Sequence, residues 1–305
     1  MGSILECLPR GSRVAIIRLR SLGDCVLTTP ALDILRRARP DLRIGVAVED
    51  RFRAIFENNR DVDEILTDEA YTVRRWRPLL CVNLHGGNRS AWMTALSGAR
   101  FRAGFGHFRF PFIYNALIPR AQQILGVDRT VHTAEHLASA MFWLGAARME
   151  IPRAKLVNRA NGDLATAGAC ATIHPVAANA EKTWRVDGFL AVAEHLKNGG
   201  LEPVFVGAAN DDLTPFRAFR VVRAAPLSEI KALLGRSSLF VGNDSGPAHM
   251  AAAFGLPVVV IFGDSDPAIW GPWRTTAEIV RAPGGMAHVE IAQVLDALTR
   301  LRVHA

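Results

Sequence analysis

The chain has 305 residues, room for two domains of roughly 150, each able to bury its own apolar core. Half the residues are hydrophobic and 21% are charged, an ordinary globular balance, and the apolar runs fall well short of the ~20 residues that cross a bilayer. The net charge of +7 sits in the first half, where residues 1–155 carry 23 Lys and Arg against 15 Asp and Glu while the remainder carry 13 against 14. That surplus suits an anionic partner on the first half, a phosphorylated glycolipid or an acidic membrane surface, or else marks a surface simply rich in arginine. No zinc finger, RNP-like motif or Lys/Arg tract is present, so no nucleic-acid partner is expected. The opening MGSILECLPRGS lacks a long apolar core, so no secretion signal is read there. Cys7, Cys25, Cys81 and Cys170 show neither CxxC nor metal-ligand spacing and read as reduced thiols.

In chain order, Arg13 to Leu19 (RVAIIRL) reads as a buried strand, and Ser21-Leu22-Gly23-Asp24 turns into a helix running towards Arg39, with Pro30 in or near its first turns. Arg43 to Val48 is a second strand, Arg51 to Asn58 a short helix, and Val62 to Leu66 and Leu79 to Leu84 further strands. Phe108, Phe110 and Phe112 alternate as in a strand with one buried face. The same span holds Phe101, Phe105, Arg100, Arg102, Arg109 and His107, and so also reads as a basic aromatic segment for a membrane or an acyl-bearing ligand. Thr133 to Leu144 is a helix stopped by Gly145, and residues 148–170 are the passage between domains. The second half repeats the alternation: strands at Ala171–His174 and Pro203–Val206, helices at Val186–Lys197 and Leu227–Gly235, and a final helix at Ala287–Leu301. Strand–helix alternation through both halves predicts parallel sheets covered by helices, that is, two Rossmann-like α/β domains. Neither half has GxGxxG with a ribose-binding acid, nor a P-loop, so no dinucleotide cofactor is expected.

The stretch Val241 to Gly263 (VGNDSGPAHMAAAFGLPVVVIFG) carries the strongest local signal: strand, polar loop, helix, strand. Pro247 suits a first helical position, Gly255 a C-terminal stop, and the β-branched Val258-Val259-Val260-Ile261 a buried strand. Bare N–H groups and the positive helix end at Ser245-Gly246 favour a phosphate or diphosphate. Asp24, at the carboxyl edge of the first sheet, reads either as a proton acceptor or as a helix cap. Lys182, on a polar loop after a strand, reads either as a cation for a phosphate group or as an ordinary solvated lysine. Asp264-Ser265-Asp266 has the spacing of a metal-binding carboxylate pair.

Three blocks, Arg18-Leu19-Arg20-Ser21-Leu22-Gly23-Asp24, His174-Pro175 through Glu181-Lys182-Thr183-Trp184, and NDSGPAH followed by GLPVVVIFG, together resemble the signatures of glycosyltransferase family 9, the ADP-heptose:lipopolysaccharide heptosyltransferases and their relatives. The resemblance implies a GT-B enzyme: residues 1–155 an acceptor-binding domain, 156–285 a nucleotide-sugar-binding domain, the two facing a central cleft, and a C-terminal helix at 286–305 packed back on the first domain. It implies an inverting transfer with Asp24 as base and Lys182 beside the leaving diphosphate. Lys182, Asp244, Ser245, Gly246 and His249 would bind the donor, and Arg18, His85 and Arg89 are acceptor-side candidates. It further implies an ADP-sugar co-substrate with no cofactor or metal, the Asp264–Asp266 triplet falling in a turn that needs none. The place of work implied is the cytoplasm, peripheral to the inner face of the membrane. Ala177-Ala178 departs from the hydroxyl-bearing or small donor residues of relatives and weakens part of the donor grip. Two other readings stay open: a nucleotide-sugar epimerase on the same fold, and a non-catalytic nucleotide-sugar-binding relative.

Overall fold

The computed structural model describes residues 3–158, 169–177 and 180–301. The chain divides into two compact units, residues 1–157 and 158–305. Each is built on its own six-stranded sheet.

In the first unit the strands are β1 (Arg13–Ile17), β2 (Arg43–Ala47), β3 (Glu64–Leu66), β4 (Leu80–Asn83), β5 (Phe101–Phe105) and β6 (Ala116–Ile118), ordered β3-β2-β1-β4-β5-β6 and all parallel. The central strands are apolar because both faces are covered. The helices are α1 (Leu22–Ala38), α2 (Ala70–Trp76), α3 (Asn88–Leu96), α4 (Ala121–Leu125) and α5 (Thr133–Leu144), with a 3₁₀ turn at Asp50–Ile55 after β2. Pro30 is the ninth residue of α1, not part of its first turns. The carbonyl of Val26, which loses its helical donor to the proline, accepts instead from the Thr29 hydroxyl at 2.8 Å, and α1 runs on unbroken. The expected strand through Phe108–Phe112 is absent. Phe110 has φ +60°, a 3₁₀ turn follows at Pro111–Ile113, and Phe112 is 76% exposed.

The second unit repeats the plan with β7 (Cys170–His174), β8 (Glu202–Gly207), β9 (Arg220–Arg223), β10 (Leu239–Asn243), β11 (Val258–Ile261) and β12 (Ala277–Val280), ordered β12-β11-β10-β7-β8-β9. Renumbered from its own first strand this is again 3-2-1-4-5-6, the Rossmann order, so each sheet has one switch point: β1/β4 in the first, β7/β10 in the second. Its helices are α6 (Val186–Asn198), α7 (Leu227–Leu234), α8 (Gly246–Phe254), α9 (Pro267–Trp270) and α10 (Ile291–Leu301). The last described helix belongs to the second unit. Val294, Ala297 and Leu298 of α10 sit in the second unit's own core with Trp184, Phe189 and Val259, against β11, β12 and α6. Its one-sided apolar pattern is satisfied locally.

Candidate active site

At the first switch point the chain leaves β1 and enters α1 through Arg18–Ser21. Ser21 is the N-cap of α1, and Asp24 is its third helical residue, so the simple cap reading of Asp24 is replaced by a capping box. One Asp24 oxygen accepts from the Ser21 amide at 3.3 Å and the Ser21 hydroxyl at 3.1 Å. The other lies 3.5 Å from the buried guanidinium of Arg18. Burial holds Arg18 below the usual arginine range, opposed by the charge of Asp24. The carboxylate keeps a 20% exposed face on a cavity of about 470 Å³ lined by Arg18, Arg20, Ser21, Asp24, Arg51, Phe52 and His85. Arg18 pairs with Asp24 and Arg51 with Glu49 at 2.7 Å, so among the described residues Arg20 is the lining cation with no carboxylate partner, and it tips the cavity positive, as an anionic ligand needs.

The opposite wall comes from the loop after β4, organised by one buried side chain. Asn83, the last residue of β4, accepts from the amides of His85 (2.9 Å) and Gly86 (3.0 Å) and donates to Ser90 (3.1 Å) and Tyr114 (3.0 Å). Gly86 has φ +79°, and a Cβ there would lie 2.7 Å from the Phe108 ring, so only glycine fits. The turn brings His85 Nδ1 to 3.1 Å from the Arg20 carbonyl. A carbonyl only accepts, so Nδ1 carries the proton and a neutral ring leaves Nε2 as an acceptor. Burial, then Arg18, holds His85 below its ordinary pKa, which favours that neutral form. Arg89, by contrast, is spent elsewhere: it pairs with Asp68 at 2.6 Å and Glu49 at 4.0 Å and does not line the cavity.

The second switch point uses the same device. Asn243 ends β10 as Asn83 ends β4, accepting from the Trp184 amide at 3.0 Å and donating to the Pro175 carbonyl at 2.9 Å. It thereby ties the loop after β7 to the loop before α8. Ser245 is the extended N-cap of α8, and Gly246 and Pro247 open the helix. The Ser245 hydroxyl lies 3.1 Å from His174 Nδ1, and burial brings His174 down to about 4, a neutral partner at physiological pH. Lys182 Nζ donates to the Ser265 hydroxyl at 2.9 Å. Burial raises Asp244 above the usual carboxylate range, while a hydrogen bond from Ser265 and the charge of Lys182 draw it back. Lys182, Asp244 and Ser265 thus form one polar cluster beside the start of α8, where the positive helix end adds to the lysine. His249 is buried one turn into α8. Ala177 gives its amide to the Thr183 hydroxyl at 3.2 Å; Ala178 lies outside the described residues. In the triplet after β11, Asp266 caps α9 by accepting from the Ala268 amide at 2.9 Å.

Each unit therefore gathers its motif residues at one sheet edge, Arg18, Asp24 and His85 in the first, Lys182, Asp244, Ser245 and Gly246 in the second. Arg20, Arg51 and Phe52 in the first unit and His174, Asn243 and Ser265 in the second carry no site role in the sequence reading. All six lie at or just after carboxyl ends of strands, and that position was the available signal.

Twin Rossmann-ordered units, one with a carboxylate in an arginine-lined cavity and the other with a lysine and a helix start suited to a diphosphate, define a nucleotide-sugar glycosyltransferase of the GT-B class. Residues 79–297 match glycosyltransferase family 9 (heptosyltransferase), and the chain belongs to that family. It is 27% identical over 84% of its length, and 83% of the relative's, to lipopolysaccharide heptosyltransferase 3 of Escherichia coli K12. Its fold is that of E. coli ADP-heptose lipopolysaccharide heptosyltransferase II (TM-score 0.81, 19% identity, 95% and 98% of the two chains) and of an E. coli heptosyltransferase solved with ADP (TM-score 0.77, 19% identity, 95% and 99%).

Proposed function

We propose that the chain transfers a heptose, or a related sugar, from an ADP-activated donor to a hydroxyl of a lipopolysaccharide-core-like glycolipid, with inversion at the anomeric carbon. The observation that carries this reading is Asp24, a partly exposed carboxylate held by Ser21 and Arg18 in a positive cavity. The acceptor oxygen attacks the anomeric carbon as its proton passes to Asp24. The bond from that carbon to the diphosphate oxygen breaks, and ADP leaves. His85 Nε2 accepts a hydrogen bond from the acceptor and orients it, while Arg18, Arg20 and Arg51 meet its anionic groups.

In the second unit the Gly246 amide, the Ser245 hydroxyl and Lys182 receive the diphosphate and stabilise the charge that grows on it, and Asp244 orders the loop or holds the sugar. Lysine and helix dipole supply the positive charge, so the reaction needs neither metal nor cofactor. The names of the E. coli relatives, a lipopolysaccharide heptosyltransferase and a heptosyltransferase solved with ADP, support the donor and acceptor classes. No helix among the described residues is long and apolar enough to cross a membrane. Trp92 (53% exposed), Leu96 (51%) and Phe112 (76%) in the first unit, with Arg109 near them in sequence, support peripheral work at the inner face of the cytoplasmic membrane.

The test is a calorimetric titration with ADP, UDP and GDP, each with Mg²⁺ and with EDTA. Tight ADP binding that ignores EDTA agrees with the proposal. Preference for UDP or GDP moves the donor elsewhere, and loss of binding in EDTA contradicts the metal-free site.

A further inference from the structure

A second cavity, of about 520 Å³, lies in the first unit and is lined by Arg13, Tyr71, Arg74, Arg75 and Arg77. It is not the cavity of Asp24. Arg13 opens β1 and pairs in register with Arg43, which opens β2, so both mark the amino-terminal edge of the sheet. Asp24 follows the carboxyl end of β1, roughly 15 Å away along a five-residue strand.

Two of the arginines have an ordinary explanation, since Arg74 and Arg75 occupy the last turn of α2, where basic side chains complement the helix dipole. The other three lie outside that turn. Arg13 and Arg43 come from strand starts and place their guanidinium carbons 5.1 and 5.6 Å from the centre of the Trp76 ring. Arg13 is further fixed by donating to the Trp76 carbonyl at 3.0 Å. Arg77 caps α2 at φ +52°, a conformation few non-glycine residues adopt. Among the described residues none of the five makes an ion pair, although Arg36, Arg37 and Arg39 of the same unit all do. The four arginines that line the cavity gather there without a carboxylate, and the exposed guanidinium groups of Arg74, Arg75 and Arg77 keep N–H donors open to an anion. Planar guanidinium forks over an indole platform match phosphate oxygens, and the exposed Tyr71 hydroxyl adds a donor.

We propose that Arg13, Arg74, Arg75 and Arg77 form a second anion site, for a phosphate or diphosphate group, at the amino-terminal edge of the first sheet. The group comes from a membrane lipid headgroup or from a soluble phosphate compound. The site stands whatever sugar the enzyme transfers.

Hydrogen exchange read by mass spectrometry tests it, with pyrophosphate as one probe and vesicles of phosphatidylglycerol and phosphatidylcholine as the other. Pyrophosphate held at Ser245 slows exchange around residues 243–249, so the two sites report separately. The expected result is slowed exchange over residues 70–79 with at least one probe. In R74Q/R75Q the midpoint concentration should rise about tenfold or more, from the loss of charge-assisted hydrogen bonds, and rise less in R74K/R75K. ADP binding by R74Q/R75Q should stay unchanged, showing that the chain is folded. Protection by pyrophosphate assigns a soluble phosphate ligand. Protection by phosphatidylglycerol vesicles, but not by pure phosphatidylcholine, assigns a lipid headgroup. No slowing over residues 70–79 with either probe in the wild-type chain overturns the site, as does slowing that R74Q/R75Q leaves undiminished.

Discussion

Replacing Asp24 by asparagine removes one charge and almost no volume, and it separates two jobs of that side chain. The carbonyl oxygen of asparagine still accepts from Ser21, so the capping box that now spans 3.1 and 3.3 Å survives in part. What is lost is the proton acceptor and the partner of Arg18. A positioned base contributes roughly 10²- to 10⁴-fold to a rate, about 3–5.5 kcal/mol of barrier, and turnover should fall by that much. Leaving a buried arginine unpaired costs about 3–5 kcal/mol when both ions are fully enclosed. Here the pair is 3.5 Å apart and Asp24 is 20% exposed, so about 1–2 kcal/mol is the expected loss of stability. At this chain length that is a drop of about 2–4 °C in melting temperature per kcal/mol. Single-turnover kinetics with an ADP-sugar, calorimetry with ADP and a thermal melt separate the outcomes. Turnover collapses, ADP affinity holds and melting shifts by a few degrees. Turnover within threefold of the parent chain would refute the base assignment.

Three other perturbations probe the rest of the site. Lys182→Ala should weaken ADP binding by roughly 10- to 100-fold, the worth of one charge-assisted bond, and Lys182→Arg should weaken it less; equal affinity in all three chains would remove the lysine from the donor site. Gly86→Ala forces a Cβ against Phe108 at positive φ and should cost about 1–3 kcal/mol while displacing His85, seen as a lower melting point with a raised acceptor KM; an unchanged melt would mean the loop has room after all. The folded pKa of His174, like that of His136, lies at about 4 against an unfolded 6.5, so the unfolded chain binds more protons between those values. Stability is therefore complete above pH 6.5 and falls towards pH 4, at up to about 1.4 kcal/mol per pH unit for each histidine. His174→Gln should flatten that decline in urea titrations across the window, and an identical slope would show that His174 is not held neutral.

The alternation of apolar strands and amphipathic helices was enough to expose both Rossmann-like sheets, because β1, β2, β4, β7, β10 and β11 are largely buried on both faces and read as short, mostly apolar runs. The outer strands were harder. β6, β9 and β12 hold three or four residues each, and Arg220–Arg223 and Ala277–Val280 are largely half-buried, so no periodicity marks them. Helix α3 escaped because Trp92 and Leu96 lie on its solvent side, which blurs the apolar stripe. The phenylalanine run misled for a tertiary reason: Phe108 closes over Gly86, Phe110, Ile113 and Tyr114 pack with Ala91 and Ala95 of α3, and the alternation is a coincidence of that turn. Motif residues at the sheet edges were legible because the chemistry of a helix start is local. Arg51, His174 and Ser265 were not, since their roles depend on loops from different strands meeting at the same edge.

The most direct test of the account is a transfer reaction with ADP-heptose and a heptose-deficient lipopolysaccharide core, in EDTA, with the linkage read by NMR. The expected result is one heptose added to the glycolipid, ADP released in equal amount, and an anomeric configuration opposite to that of the donor. Retained configuration would contradict the single displacement at Asp24. Donor consumed without acceptor to give an isomeric sugar would mean an epimerase, and donor bound but never turned over would mean a binding protein.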